Sequence, residues 1–232
     1  MQRSDWIVGG QGSALAAGAA LLVVFAVLTA VTQPGGSGFL DRHIQTFSDI
    51  LAGGRRSYVF TSIEPLGSPG VSVVLTGLLA IVVARVRGLA TGLAVIIAMG
   101  AMTAVEGLLR IRVGSIPWND LAHFLTQPHG HHLVHSTYPS GHTARLGLVS
   151  GMAVAALVPG RWRTAGLMGV VLITAWIAIQ RVAAHQHTGT DVVGGALLGW
   201  GTALLFAWLV TLPAFLKVSR TLTHRGTAPV DS

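Results

Sequence analysis

The sequence predicts an all-α fold: a six-transmembrane-helix bundle with its candidate chemistry on one membrane face and a short interfacial amphipathic helix after the first span. Three observations predict it. Apolar residues make up 51% of the 232-residue chain and charged residues only 10%, where a soluble domain carries about 25% charged residues. The charges punctuate uncharged intervals near the ~20 residues that cross ~30 Å of hydrocarbon. Lys and Arg are also shared unequally between alternate links, as the sidedness of membrane insertion requires.

Taken in order, Asp5 and Asp41 bracket an uncharged stretch in which residues 12–32 read as the first helix. Its apolar run exceeds the ~7–15 residues of a signal-peptide core. Pro34-Gly-Gly-Ser-Gly38 breaks it, since neither residue type continues a helix well. From Phe39 to Glu64 the chain is mixed, but Phe39, Leu40, Ile44, Phe47, Ile50 and Leu51 recur at helical spacing among polar residues. That pattern predicts the amphipathic helix at the interface.

Pro65 to Ala84 reads as the second span, stopped by Arg85 and Arg87, and Gly88 to Val105 as the third, stopped by Glu106 and Arg110. A polar, His-rich connection runs from Ile111 to Tyr138. The fourth span opens at Pro139, a residue suited to a helix's first turn, and runs to Val158. Thr164 to Gln180 and Val192 to Leu216 complete the set. Residues 1–217 are expected to form one transmembrane domain, and 218–232 a basic, polar, disordered cytoplasmic tail.

With six spans both termini share one side. That side receives Arg3, Arg85, Arg87, Arg161, Arg163, Lys217, Arg220 and Arg225, against Asp5 and Asp231. On the other side Arg42, Arg55, Arg56, Arg110, Arg112 and Arg181 are nearly balanced by acidic residues. The termini are therefore expected in the cytoplasm of a bacterial plasma membrane protein, with the links carrying the candidate chemistry outside. The net charge of +7 is scattered between apolar runs rather than gathered into a stripe, so nucleic acid is not an expected partner. The absence of cysteine excludes disulfides, thiolate metal sites and a Cys nucleophile.

Two clusters stand apart. Arg181, His185, His187 and Asp191 lie between the last two spans, and Pro139-Ser140-Gly141-His142 opens the fourth. Ionisable groups at membrane depth are costly unless paired, so they mark a functional site by default. We expect the two clusters to meet and bind a phosphate.

The pair Pro139-Ser140-Gly141-His142 and Arg181-x5-His187-x3-Asp191 resembles the second and third signature motifs of the type 2 phosphatidic acid phosphatase superfamily, with Gln180 where that family usually has Ser. The resemblance implies a six-helix lipid phosphatase. A phosphate ester resists attack because its oxygens are negative, so cations and N–H donors must neutralise them. Arg181 offers a planar fork for two oxygens. Ser140, Gly141 and the first amides of the fourth helix offer donors where the helix dipole favours an anion. His187 is the expected nucleophile, forming a phospho-histidine. Asp191, one helical turn on, orients it, and His142 is the general acid. No metal or other cofactor is called for.

The family's first motif, Lys-x6-Arg-Pro, is degraded. Arg110 falls on its Lys, but Pro117 and Trp118 fall on its Arg and Pro. Arg145 and Arg112 are candidate replacements for the lost cation, with Arg145 expected to line the site, while Glu106 is expected to pair with Arg110 across one turn. His131 and His135 have a zinc-compatible spacing, but Pro128 and Gly130 disfavour a helix there, and a solvated loop is the preferred reading. Trp6, Trp118 and Trp162 read as belt anchors.

The expected partner is a lipid phosphate in the bilayer. The resemblance implies polyprenyl diphosphate, phosphatidylglycerol phosphate or phosphatidic acid. The alternatives are a phosphotransferase that passes the phosphoryl group to a hydroxyl, and a non-catalytic His-rich membrane protein or metal transporter.

Overall fold

The computed structural model describes residues 11–31, 38–52, 64–112, 138–217 and 221. Among them the regular elements are all helical: α1 (Gln11–Val31), α2 (Phe39–Ala52), a 3-10 turn at Glu64–Gly67, α3 (Pro69–Arg87), α4 (Leu89–Arg112), α5 (Gly141–Leu157), α6 (Gly160–Ala183) and α7 (Gly189–Leu209). Five are long and apolar enough to cross a membrane: Gly12–Val31, Pro69–Arg87, Leu89–Ile111, Gly160–Ala183 and Gly189–Leu209. The outward faces of the first four carry exposed Val23, Val73, Ile97 and Leu172, as helices in lipid do.

Several boundaries differ from the sequence reading. Pro65 to Gly67 form the 3-10 turn, and α3 starts at Pro69, where the Ser68 Oγ accepts from the Val71 N–H at 3.4 Å. Glu106 and Arg110 do not end α4. They neutralise each other at 2.8 Å inside it, so the helix continues to Arg112. Pro139 stands outside α5, which begins at Gly141. Helix α6 extends in both directions beyond Thr164 and Gln180. The last span stops at Leu209 rather than Leu216. Pro213 has no N–H to continue the ladder and restricts the residue before it, and the described residues from 213 on are again helical. The break at 34–37, the connection at 113–137 with its histidines, and the tail from 218 (Thr221 apart) lie outside the described residues.

Helix α5 is the axis of the fold. Twelve of its 17 residues are buried, and it packs on α3, α4, α6 and α7. Leu148 and Met152 sit at its centre with Val83, Val95, Met102 and Phe206 around them. Its tightest neighbour is α7, because glycine brings the two backbones together. A Cβ on Gly195 would lie 2.4 Å from the Ser140 carbonyl oxygen, and one on Gly199 2.3 Å from that of Ala144.

Backbone cannot yield as a side chain can, so Gly195→Ala is expected to cost about 1–3 kcal/mol by overpacking and to lower Tm in detergent. Gly77→Ala in α3, where nothing lies within 4 Å, is the control and should leave Tm unchanged or higher. Equal Tm values for the two variants would show that α5 and α7 are not held at this distance.

Helix α2 shows an inverted pattern. Asp41 and Ser48 are buried and Ile44 and Gln45 half-buried against the fold, while Phe39, Phe47, Ile50 and Leu51 are exposed.

Candidate active site

Arg181 lies in the last turn of α6, buried. The chain then folds back on the helix end through His185, whose φ of 55° is left-handed. The N–H groups of Gln186 and His187 both donate to the Arg181 carbonyl, at 3.1 and 3.3 Å. Arg181 Nη1 in turn donates to the side-chain oxygen of Gln186. The turn therefore holds Arg181 at both its backbone carbonyl and its guanidinium.

Helix α7 begins immediately after. Thr188 caps it, and a reciprocal capping box joins the Thr188 hydroxyl to the Asp191 N–H and the Asp191 carboxylate to the Thr188 N–H, at 3.3 and 2.9 Å. The carboxylate oxygen that accepts from Thr188 also lies 3.4 Å from His187 Nδ1. A carboxylate held by a helix cap is thus the group that orients the imidazole. The side chains of His187 and Asp191 are only 8% and 6% exposed. Burial lowers the pKa of His187. Asp191 opposes that, and the positive charges of Arg110 and Arg181 add to it. The imidazole is consequently neutral at neutral pH, with Nδ1 toward Asp191 and the other ring nitrogen carrying the lone pair.

The second cluster is joined to the first by backbone. The Ser140 N–H donates to the Asp191 carbonyl at 2.9 Å. Tyr138, two residues earlier, stacks on Phe25 of α1 with centroids 6.1 Å apart, and its hydroxyl meets that of Thr29 at 2.8 Å. Ser140 is fully buried, Gly141 and His142 are buried in the first turn of α5, and the Ser140 side chain does not cap the helix. Its hydroxyl accepts from Thr143 at 3.2 Å. The first turn of α5 precedes its earliest internal hydrogen bond, so its amides and dipole present positive charge here.

Two arginines meet on one carboxylate. Arg110 Nη2 lies 2.8 Å from one oxygen of Glu106 and 3.3 Å from the Pro139 carbonyl. Arg145 Nη1 lies 2.9 Å from the other oxygen, and its Nε donates to the Gly67 carbonyl at 3.2 Å. A Cβ on Gly141 would fall 2.2 Å from Glu106 Oε1, so the glycine of the second cluster makes room for this ion pair. The expected Glu106–Arg110 pair is present. Arg145 is engaged with Glu106 and Gly67, and Arg112 ends α4 with its side chain outside the described residues.

Sequence reasoning missed the Glu106–Arg145 bond and the grip of Gln186 on Arg181. A lone carboxylate inside an apolar span was a signal for the first, because it has to be paired. Among the described residues no three of His, Cys, Asp and Glu gather into a metal-binding group. The histidines at 123–135 lie outside those residues.

Residues 89–213 match the family model described as the PAP2 superfamily. No curated protein sequence matches the chain. Among solved structures, the first transmembrane PAP2 type phosphatidylglycerolphosphate phosphatase from Bacillus subtilis is similar, with a TM-score of 0.63 and 20% identity over 82% of this chain and 93% of that one. That likeness is one of fold.

Proposed function

Because the chain belongs to the PAP2 superfamily, we propose that it is an integral membrane lipid phosphatase that hydrolyses a phosphomonoester or diphosphate through a phospho-histidine. The observation that carries this reading is the convergence on His187. One ring nitrogen faces a cap-held carboxylate at 3.4 Å, two arginine charges act on the ring, and the Asp191 backbone is bonded to the Ser140 turn.

In the proposed sequence Arg181 and Arg110 receive phosphate oxygens together with Ser140, Gly141 and the first amides of α5. Neutral His187 attacks phosphorus while His142 gives its proton to the leaving oxygen. Water then gives a proton back to His142 as its oxygen displaces the phosphoryl group from the imidazole, and Asp191 stabilises the ring's positive charge in between. The residues supply nucleophile, acid and cations, so the proposal includes no metal.

The finer topology belongs to the same proposal. The 17-residue α5 is the sixth span, shortened because its polar end opens into the site. Helix α2 lies in the outer interface with Phe39, Phe47, Ile50 and Leu51 toward lipid, and the termini are cytoplasmic. The substrate is a lipid with a phosphate or diphosphate at its polar end: polyprenyl diphosphate, phosphatidylglycerol phosphate or phosphatidic acid.

The test is release of inorganic phosphate, without added acceptor, from a panel of undecaprenyl diphosphate, phosphatidylglycerol phosphate and phosphatidic acid in detergent micelles. Release without acceptor separates hydrolysis from transfer to a hydroxyl. A protein that releases none from any member is not the phosphatase proposed.

The pH dependence has a definite sign. His187 must be neutral to attack, and its folded pKa is depressed by burial below the ordinary value of 6.5. The acid limb of kcat/KM should therefore rise at a pH below 6.5, and loss of the His142 proton should close the profile on the alkaline side. Asp191 raises the His187 pKa, so Asp191→Asn should move the acid limb further down. A profile flat from pH 5 to 9 would argue against two catalytic histidines.

A further inference from the structure

Helix α2 lies outside the segment matched by the family model, 89–213, yet its inward face lies on the stretch that carries His187. The Asp41 carboxylate accepts from the Thr190 N–H at 2.7 Å. Gln45 donates to the Val182 carbonyl at 3.2 Å. Ile44 fills the space beside Gly189, where a Cβ would come within 2.7 Å of it. These contacts fall one helical turn apart on α2, and they land on both sides of the link: Val182 at the end of α6, Gly189 and Thr190 at the start of α7. Asp41 itself is buried at 7% exposure, in a helix that leaves four large apolar side chains outside. A carboxylate turned inward under those conditions needs a partner to offset its desolvation, and its partner is the amide adjacent to Asp191.

We propose that α2 is a clamp on the Arg181–Asp191 link, with Asp41 as a positioning residue that acts through Asp191 on His187; the inference rests on the phosphatase reading above. The mechanism is one of sharing acceptors. The first turn of α7 has more amides than Thr188 can satisfy. Asp41 takes the Thr190 N–H, which leaves the Thr188 hydroxyl to the Asp191 N–H and keeps the capping box reciprocal. Without Asp41, the orphaned amide competes for the acceptors of the same turn, the Thr188 hydroxyl and the Asp191 carboxylate. Either choice disturbs the capping box that holds the carboxylate facing His187 Nδ1. The link itself has a left-handed residue at His185 and a tight return onto the Arg181 carbonyl, so it depends on outside contacts to hold one geometry. The exposed His185–Asp49 approach of 3.9 Å adds little, since such pairs are screened by water.

The test uses the full-length protein in detergent, with the fastest-hydrolysed member of the lipid panel as substrate. Asp41→Ala is expected to lower kcat between about 10- and 100-fold, the scale of a small misplacement of a reacting group, with KM changed by less than about threefold. Asp41→Asn keeps the side-chain acceptor and should recover most of that loss. Gln45→Ala removes the contact to α6 without burying a charge and should lower kcat in the same direction by a smaller factor. It remains informative if Asp41→Ala does not fold.

Wild-type kcat in Gln45→Ala or Asp41→Ala overturns the clamp. So does an equal loss in the Ala and Asn variants of Asp41, which would make charge rather than the hydrogen bond responsible. Full activity in these variants with an inactive His187→Ala removes the clamp alone. Activity retained in His187→Ala removes the phosphatase mechanism beneath it.

Discussion

His187→Ala is expected to lower phosphate release by on the order of 10⁴-fold or more, the scale on which loss of a covalent nucleophile is felt. The expectation follows from how completely the site is built around this ring. Asp191 takes one nitrogen, burial and the Arg110 and Arg181 charges keep the ring neutral, and neither effect helps any other side chain attack phosphorus. In the proposed mechanism, removing the imidazole leaves the cations to bind phosphate but no group to receive it. KM should therefore change far less than kcat, or binding of a product phosphate should survive.

The covalent step has its own signature. Wild-type protein mixed rapidly with ³²P-labelled lipid phosphate and quenched in alkali should carry acid-labile label, and His187→Ala should carry none. His142→Ala should fall by a smaller factor, about 10²–10⁴ for a lost general acid. An alanine variant at 187 that still turned over, or label found in it, would sink the nucleophile assignment.

What was legible in the sequence divides along a physical line. Spans could be read because lipid imposes a composition on every residue of a long stretch, and the ends were misplaced where that composition says nothing. Pro213 stops α7 through a missing N–H, and Leu212 and Leu216 on either side of it look equally apolar. Glu106 and Arg110 looked like an end because each is charged, but as a pair at 2.8 Å they are tolerated inside α4.

The same division holds at the site. Arg181, His187 and Asp191 stand at fixed intervals on one connected stretch, so a local pattern could propose how they act together. Glu106 with Arg145, and Asp41 with Thr190, are 39 and 149 residues apart. Such contacts exist only after α4, α5 and α2 have packed, and no interval in the chain encodes them. Gly141 illustrates the limit most directly. It could be read as an anion-binding glycine, but its lack of a side chain also admits the carboxylate of another helix.

That carboxylate leads to the second large expected effect. Glu106→Ala should destabilise the protein by about 3–5 kcal/mol, the cost of breaking a buried ion pair from one side. Two guanidiniums, Arg110 and Arg145, would be left facing each other on buried helices with no counter-charge between them. Both now bond the same carboxylate, at 2.8 and 2.9 Å, and no single water can neutralise what Glu106 does. A lowered Tm in detergent is the first readout.

Activity is the second, because Arg110 is one of the two cations whose charge acts on His187 and Glu106 holds its guanidinium toward the Pro139 carbonyl. In Glu106→Gln, which keeps the shape and loses the charge, kcat/KM should fall even where the fold survives. Arg145→Ala then separates the two roles open to Arg145. If its guanidinium serves the substrate phosphate as well as Glu106, KM for the lipid phosphate rises. If it only neutralises Glu106, Tm falls while KM and kcat stay at wild-type values. The double variant Glu106→Gln with Arg145→Gln gives the coupling between them. Losses that simply add would mean that the bond at 2.9 Å contributes nothing to stability, and the Glu106-centred account of the site would then be wrong.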